Sequence, residues 1–206
     1  MAELKIYGNT QSRAFRVLWV ALELGIDFDL IPLGTYTGET KTPEFLKINP
    51  NGTIPAIQDG DVNLWESLAI TYYLAKKHGG PLAPKDAAED AKTFQWTLFG
   101  VDTFEKHGSA LIVNAMKPEN ERDPAMVEQV RKAYQKPLDV LEGHLSENDY
   151  VLGDRFTIAD INLAATLVPA SRTGFDLSSH PKVDAWVKAC VGRPTVKAAR
   201  EMKDPE

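Results

Sequence analysis

The chain has 206 residues, 43% hydrophobic and 25% charged, ordinary proportions for a globular protein with a substantial core. Its formal net charge is −6 and no run of like charge stands out, which excludes the clustered basic face that nucleic-acid binding needs. Cys190 is the single cysteine, the start MAELKIYGNT lacks the pattern of a signal peptide, and no apolar stretch is long enough to cross a membrane. These features predict a cytoplasmic protein with neither membrane nor nucleic-acid partners. His78, His107, His144 and His180 lie far apart without zinc-ligand spacing, so no metal is expected.

In chain order, Leu4 to Tyr7 predicts a strand ended by Gly8-Asn9. A helical pattern begins at Ser12, runs through Phe15, Leu18 and Leu22, and is capped by Gly25. A second strand is predicted over Phe28 to Leu33, and the polar stretch Thr35 to Thr42 predicts no firm element. Asn49-Pro50-Asn51-Gly52 is a turn by composition, and residues 55–58 and 62–64 flank Asp59-Gly60-Asp61 as a β-hairpin. Ser67 opens a helix that closes near His78-Gly79-Gly80. The order β-α-β then β-β-α predicts a small mixed sheet with helices packed on it, over residues 1–79.

Residues 80–86 read as a linker, and residues 87–206 as an all-helical domain. Phe94, Leu98 and Val101 mark its first helix. Val127, Val130, Tyr134, Leu138, Leu141 and Leu145 form a helical stripe in which Pro137 predicts a kink or break. Thr157-Ile158-Ala159-Asp160 has the form of a capping box that starts the apolar helix 161–168, and further helices follow Pro181 and Pro194.

Four segments of the first domain carry candidate chemistry. Ser12 places a hydroxyl where a strand meets a helix N-terminus, a position that favours negative charge, although a serine there is also a plain N-cap. At Ile54-Pro55 a cis bond would turn the Ile54 backbone outward to pair with an extended peptide; a trans bond in an ordinary turn is the alternative. Ser67 and the helix it opens suit a peptide α-carboxylate, with Glu66 for an ammonium group, and each residue also serves simply to start a helix. Lys41 suits a second carboxylate or is a solvated lysine.

The order and spacing of these segments is more specific than any one of them. YGNTQSRAFRVLWVALELG, NPNGTIPAI and LWESLAITYYLAKKHG resemble the N-terminal domain of cytosolic glutathione transferases, and VLGDRFTIADINLA resembles the capped helix of that family's second domain. The resemblance implies a thioredoxin-like α/β domain followed by an all-α domain, with glutathione as co-substrate and no metal. Ser12 matches the residue that contacts the glutathione sulfur in the serine-containing classes, with Thr10 and Arg13 as possible support for the thiolate. Tyr7 occupies the strand that carries a tyrosine in other classes. Lys41, Thr53, Ile54, Pro55, Glu66 and Ser67 match glutathione-binding positions, Ile54 through its backbone and Pro55 as a cis-proline.

The activity implied is attack of a stabilised thiolate on a small hydrophobic electrophile in a homodimeric enzyme. The electrophile pocket is expected around Thr10, the Tyr36 loop and residues 104–111, and Asp102 is a candidate contact to a partner's glutathione. With no cysteine near Ser12 and no Cys-x-x-Cys or Ser-Ser-Cys motif, thiol-transferring, disulfide-exchanging and isomerase subclasses are disfavoured. A glutathione-dependent peroxidase or dehalogenase, and a non-catalytic interaction module, are the alternatives on the same fold. Cys190 reads as a buried core residue.

Overall fold

A computed structural model describes residues 2–34 and 37–202. The chain forms two compact units. One runs to Ala83 and includes the segment from Arg193 onward; the other is Pro84–Gly192.

The first unit is built on a four-stranded sheet of β1 (Leu4–Tyr7), β2 (Phe28–Ile31), β3 (Ala56–Asp59) and β4 (Val62–Trp65), in the order β2-β1-β3-β4. β1 and β2 are parallel, with Leu4 opposite Phe28, so a crossover must join them, and α1 (Ala14–Leu24) supplies it. β3 runs antiparallel to both neighbours, with Ala56 opposite Tyr7 on one side and Trp65 on the other. Leu4 and Ile6 alternate onto the buried face, where α1 packs beside α3 (Ser67–His78). Every residue of α1 from Ala14 to Ala21 is buried. The short helix α2 (Pro43–Leu46), which the sequence reading did not resolve, sets Phe45 edge-on to Tyr7 with ring centroids 5.8 Å apart. Asp59, buried at the end of β3, holds α3 through Lys77 Nζ at 2.7 and 2.8 Å and the Tyr73 hydroxyl at 3.0 Å.

The last helix, α9 (Pro194–Glu201), packs against α1 in this unit, whereas the sequence reading counted it with the helical domain. The reason is a buried charge. Glu23, one residue from the end of α1, receives Arg193 Nε at 2.5 Å and Nη2 at 2.8 Å, Trp19 Nε1 at 3.2 Å, and the Thr195 hydroxyl. A bidentate guanidinium is the partner that a nearly buried carboxylate requires.

The second unit comprises α4 (Ala87–Gly100), α5 (Lys106–Met116), α6 (Pro124–Glu147), α7 (Ile158–Arg172) and α8 (Pro181–Val191). A π-helical turn, Val101–Glu105, joins α4 to α5. α7 is buried continuously from Ile158 to Leu167, and α4, α5 and α8 pack on it. A helix apolar on all sides belongs at the centre of its domain. On α4 the buried face is Thr93, Trp96, Thr97 and Gly100, while Phe94 and Leu98, with Val101 at the start of the turn that follows, are exposed apolar residues. Pro137 does not break α6, which is one helix of 24 residues. An interior proline costs about 3 kcal/mol, but Val130, Tyr134, Leu138, Leu141 and Leu145 are all buried along one face. At roughly 1.5–3 kcal/mol per buried apolar side chain, that face outweighs the lost hydrogen bond. Cys190 is buried on α8.

The capping box at α7 is also the polar centre of this unit. Asp160 accepts from Thr157 N at 2.9 Å, Thr157 Oγ1 at 3.1 Å, Val151 N at 2.9 Å and Trp186 Nε1 at 3.1 Å. Burial pushes its carboxyl up, and the four donors work against that rise. An amide in its place offers one acceptor oxygen and turns an NH2 toward other donors. Asp160→Asn is therefore expected to cost at least about 2 kcal/mol by stranding buried donors, read as a lower midpoint in thermal unfolding.

Glu23 makes a pH-dependent prediction. Burial alone would raise its carboxyl, but the bonds from Arg193, Thr195 and Trp19, with the guanidinium charge, hold it below the ordinary value. Its contribution to stability is thus complete above about pH 4.3 and is lost as pH falls through the depressed value. Arg193→Ala is expected to remove about 1.5–3 kcal/mol at neutral pH, with the difference from wild type shrinking in acid. Urea unfolding at pH 7 and pH 3 measures both.

Candidate functional site

β1 ends at Tyr7, and the chain must then turn sharply into α1. Gly8 makes the turn with φ +147°, and a Cβ there would lie 2.5 Å from the Ala14 Cβ. The same point is 3.6 Å from Ser12 Oγ and 3.6 Å from the Ile54 Cβ. The end of β1, the start of α1 and the Ile54 loop therefore meet at one place that admits only glycine. Asn9 fixes the turn: its Nδ2 donates to Leu33 O at 2.7 Å and its Oδ1 accepts from Gln11 N at 3.0 Å.

Ser12 lies two residues before α1, which begins at Ala14. Its Oγ accepts from Ala14 N at 3.1 Å and donates to Asn9 O at 2.8 Å. The hydroxyl therefore does cap the first turn, as the plainer reading of the sequence had it. The two roles are compatible, since Ser12 N also bonds Asn9 O at 3.2 Å and leaves the hydroxyl proton free to rotate to another acceptor. Thr10 is half-buried in the same turn, and Arg13 is exposed at the helix start without a side-chain cap bond. Tyr7 is turned elsewhere: its hydroxyl bonds Gln58 on β3, and burial pushes the phenol pKa up. That arrangement favours Ser12 over Tyr7 as the hydroxyl of the site.

The second component is the loop that precedes β3. Ile54-Pro55 is cis. Among the described residues, neither the Ile54 N–H nor its C=O has a hydrogen-bond partner, so an extended peptide can pair there. Asn49, buried, organises the loop, with Nδ2 donating to Thr53 O at 2.7 Å and Oδ1 accepting from Asn51 N at 3.0 Å. Thr53 itself is exposed. Lys41 is exposed and bridges to the same loop, its Nζ donating to Asn51 O at 3.1 Å and Gly52 O at 2.9 Å. Gly52 is required beneath it, because a Cβ at that residue would sit 2.7 Å from both the Lys41 Nζ and the Thr40 carbonyl.

The third component is the start of α3. Glu66 is exposed and carries φ 72° and ψ 109°, the positive φ of a non-glycine residue. Such backbones cost about 1–3 kcal/mol and gather at ligand sites. Ser67, buried, is the first helical residue, and its Oγ accepts from Arg16 Nη1 at 3.3 Å. Arg16, Asn9 and Asn49 are parts of this framework that the sequence reading did not single out. An arginine within AFRVLWVAL and asparagines beside turn residues were the available signals.

The expected electrophile pocket fares differently. Tyr36 lies outside the described residues. Phe104 is fully buried in the second unit, edge-on to Tyr134 at 5.0 Å and Phe99 at 5.8 Å, and Leu111 is buried as well. Both are core residues, because the π-helical turn directs Phe104 into the helical bundle. Asp102 is exposed on that turn. Among the described residues, no three His, Cys, Asp or Glu side chains gather as metal ligands.

Comparison with known proteins places this arrangement. Residues 2–76 match the family of the glutathione S-transferase N-terminal domain, and residues 104–194 match that of the C-terminal domain. Glutathione S-transferase 3 of Zea mays is 40% identical over 94% of this chain and 91% of its own length. Among solved structures, glutathione S-transferase-I bound with lactoylglutathione superposes with a TM-score of 0.86 at 29% identity, covering 96% of this chain and 98% of that one. The theta class glutathione S-transferase of Xanthomonas axonopodis pv. citri with glutathione bound gives 0.83 at 29% identity over the whole of both chains. With a sheet of this topology, a serine at the α1 start and a cis-proline before β3, the chain belongs to the glutathione S-transferase family.

Proposed function

We propose that this glutathione S-transferase binds glutathione along the line from Lys41 to Ser67 and activates its thiol at Ser12. The observation that carries the reading is the convergence of Ser12 Oγ and Ile54 on the Gly8 turn, 3.6 Å from one point, at the N-terminus of α1. The cysteinyl residue pairs with the open Ile54 backbone, which brings its sulfur toward the Ser12 hydroxyl. The γ-glutamyl carboxylate takes the Ser67 hydroxyl and the N-terminus of α3, and its ammonium group takes Glu66. Lys41 holds the glycine carboxylate while Asn51, Gly52, Thr53 and Pro55 shape the loop.

The chemistry follows from the thiol's acidity. A free thiol has a pKa of about 8.5, and bringing it near 6.5 needs roughly 2.7 kcal/mol of preferential stabilisation of the thiolate. A hydrogen bond to a charged acceptor contributes about 1.5–3 kcal/mol, and a helix N-terminus about 0.3–1 kcal/mol. A Ser12 hydroxyl swung from Asn9 O to the sulfur, together with the α1 N-terminus and support from Thr10 or Arg13, meets that requirement. The proton leaves to solvent. The thiolate then forms the carbon–sulfur bond to a small hydrophobic electrophile, and the displaced electron pair goes to a departing halide, to the oxygen of an opened epoxide ring or to the nitrogen of an isothiocyanate, the last two then taking a proton from solvent.

The enzyme works as a cytoplasmic homodimer. The exposed apolar residues Phe94 and Leu98 on α4 and Val101 just after it, with Val62 and Trp65 exposed on β4, support burial against a second copy. A panel of aryl halides, epoxides, organic hydroperoxides and isothiocyanates identifies the electrophile class.

Ser12→Ala is expected to return the thiol of bound glutathione toward about 8.5 and to lower the conjugation rate, with glutathione affinity little changed. Ultraviolet titration of the bound thiolate and steady-state kinetics measure the two effects. Unchanged turnover moves the role to Thr10, Arg13 or Tyr7. Ser67→Ala acts on binding instead: calorimetry is expected to show affinity about tenfold weaker while the thiol pKa stays put. Wild-type affinity in that variant removes Ser67 from the site.

A further inference from the structure

The parallel ladder between β1 and β2 does not stop where the strands do. Gly8 N donates to Ile31 O at 3.1 Å, and Leu33 N donates to Gly8 O at 3.4 Å. In a parallel pair the next rung would run from the backbone N–H of Thr10 to Leu33 O. The chain has by then turned toward α1, and the Asn9 side chain supplies the rung instead, Nδ2 donating to Leu33 O at 2.7 Å.

The same residue shapes the turn on its other side. Asn9 Oδ1 accepts from Gln11 N at 3.0 Å, and the Asn9 carbonyl accepts both Ser12 N at 3.2 Å and Ser12 Oγ at 2.8 Å. One residue thus links the end of β2 to the Ser12 hydroxyl. Asparagine suits the task because its amide carries donor and acceptor on separate atoms, which neither a carboxylate nor a hydroxyl does. Without the rung to Leu33 O, the carbonyl that Ser12 leans on belongs to a turn tied to the sheet only through Gly8. A hydrogen bond weakens steeply as its angle closes, so the Ser12 hydroxyl must be aimed as well as present.

We propose that Asn9 is a positioning residue for thiol activation: acting through Ser12, it aims the hydroxyl at the sulfur of glutathione and so sets the acidity of that thiol. This rests on the assignment of Ser12 to the sulfur given above. It assigns part of the activation to a side chain whose own bonds run to the sheet and the turn.

The test is the pH dependence of conjugation at saturating glutathione, which follows groups in the enzyme–substrate complex, together with ultraviolet titration of the bound thiolate. In Asn9→Ala the apparent pKa of the bound thiol is expected to rise, so that turnover below it falls about tenfold, while KM for glutathione stays within about twofold. Above the raised pKa the thiolate forms without help and the variant rejoins the wild-type rate, which a merely loosened fold would not allow. Asn9→Ser keeps an acceptor for Gln11 N but cannot reach Leu33 O. It is expected to move the profile in the same direction, and it carries the test where Asn9→Ala does not fold. In a Ser12→Ala background the Asn9 substitution is expected to add nothing, because both act through one hydroxyl. An Asn9 variant with the wild-type profile, or one slowed equally at every pH, overturns the proposal and leaves Asn9 a turn residue. A full further shift on top of Ser12→Ala overturns it as well, since Asn9 then acts by another route. If Ser12→Ala itself leaves the thiol pKa unmoved, the assignment of Ser12 fails, and this inference with it.

Discussion

The close approach at Gly8 is the contact on which the site depends. Three pieces of chain far apart in sequence arrive there: the end of β1, the start of α1 and the loop before β3. A side chain at Gly8 would strike Ala14 and push the helix away from the sheet, separating Ser12 from Ile54. The hydroxyl and the open backbone come close together because nothing larger than hydrogen stands between them. Asn9 on one side and Asn49 on the other fix the two loops with side-chain amides in place of regular secondary structure.

Around this point the first unit arranges charge with some economy. Three of its buried or half-buried charged side chains join separate elements: Asp59 meets Lys77, Glu23 meets Arg193, and Arg16 donates to the Ser67 hydroxyl. The first two pairs are structural, tying α3 to the sheet and α9 to α1. The Arg16 contact ties α1 to the first residue of α3.

The second unit shows the same logic with a carboxylate. Asp160 gathers four donors from the segment before α7, the helix start and α8, and the apolar helix behind it is buried almost without interruption. One buried acceptor with all its donors satisfied fixes how these elements meet, which apolar packing alone leaves less sharply defined. The exposed apolar residues of α4 are the complement: the helix turns its threonines and glycine inward, where close packing against α7 needs small side chains, and leaves Phe94 and Leu98 outside.

By itself the sequence determined the elements and their order, because hydrophobic periodicity, Gly25 as a cap, the Asp59-Gly60-Asp61 turn and the Thr157–Asp160 box are local signals read over a few residues. It also determined the identity of most of the candidate site, since Ser12, Ile54-Pro55 and Glu66-Ser67 each sit at an element boundary that such signals mark. Only the tertiary structure decided which residues support them. Arg16 and Ser67 are 51 positions apart, and Arg193 reaches Glu23 across 170. No local pattern pairs such residues, so the return of α9 to the first unit and the guanidinium behind Ser67 were invisible until the chain was folded. Pro137 and Phe104 make the same point in reverse: a helix breaker and a presumed pocket residue were both overruled by burial, a property of the whole fold and not of a sequence window.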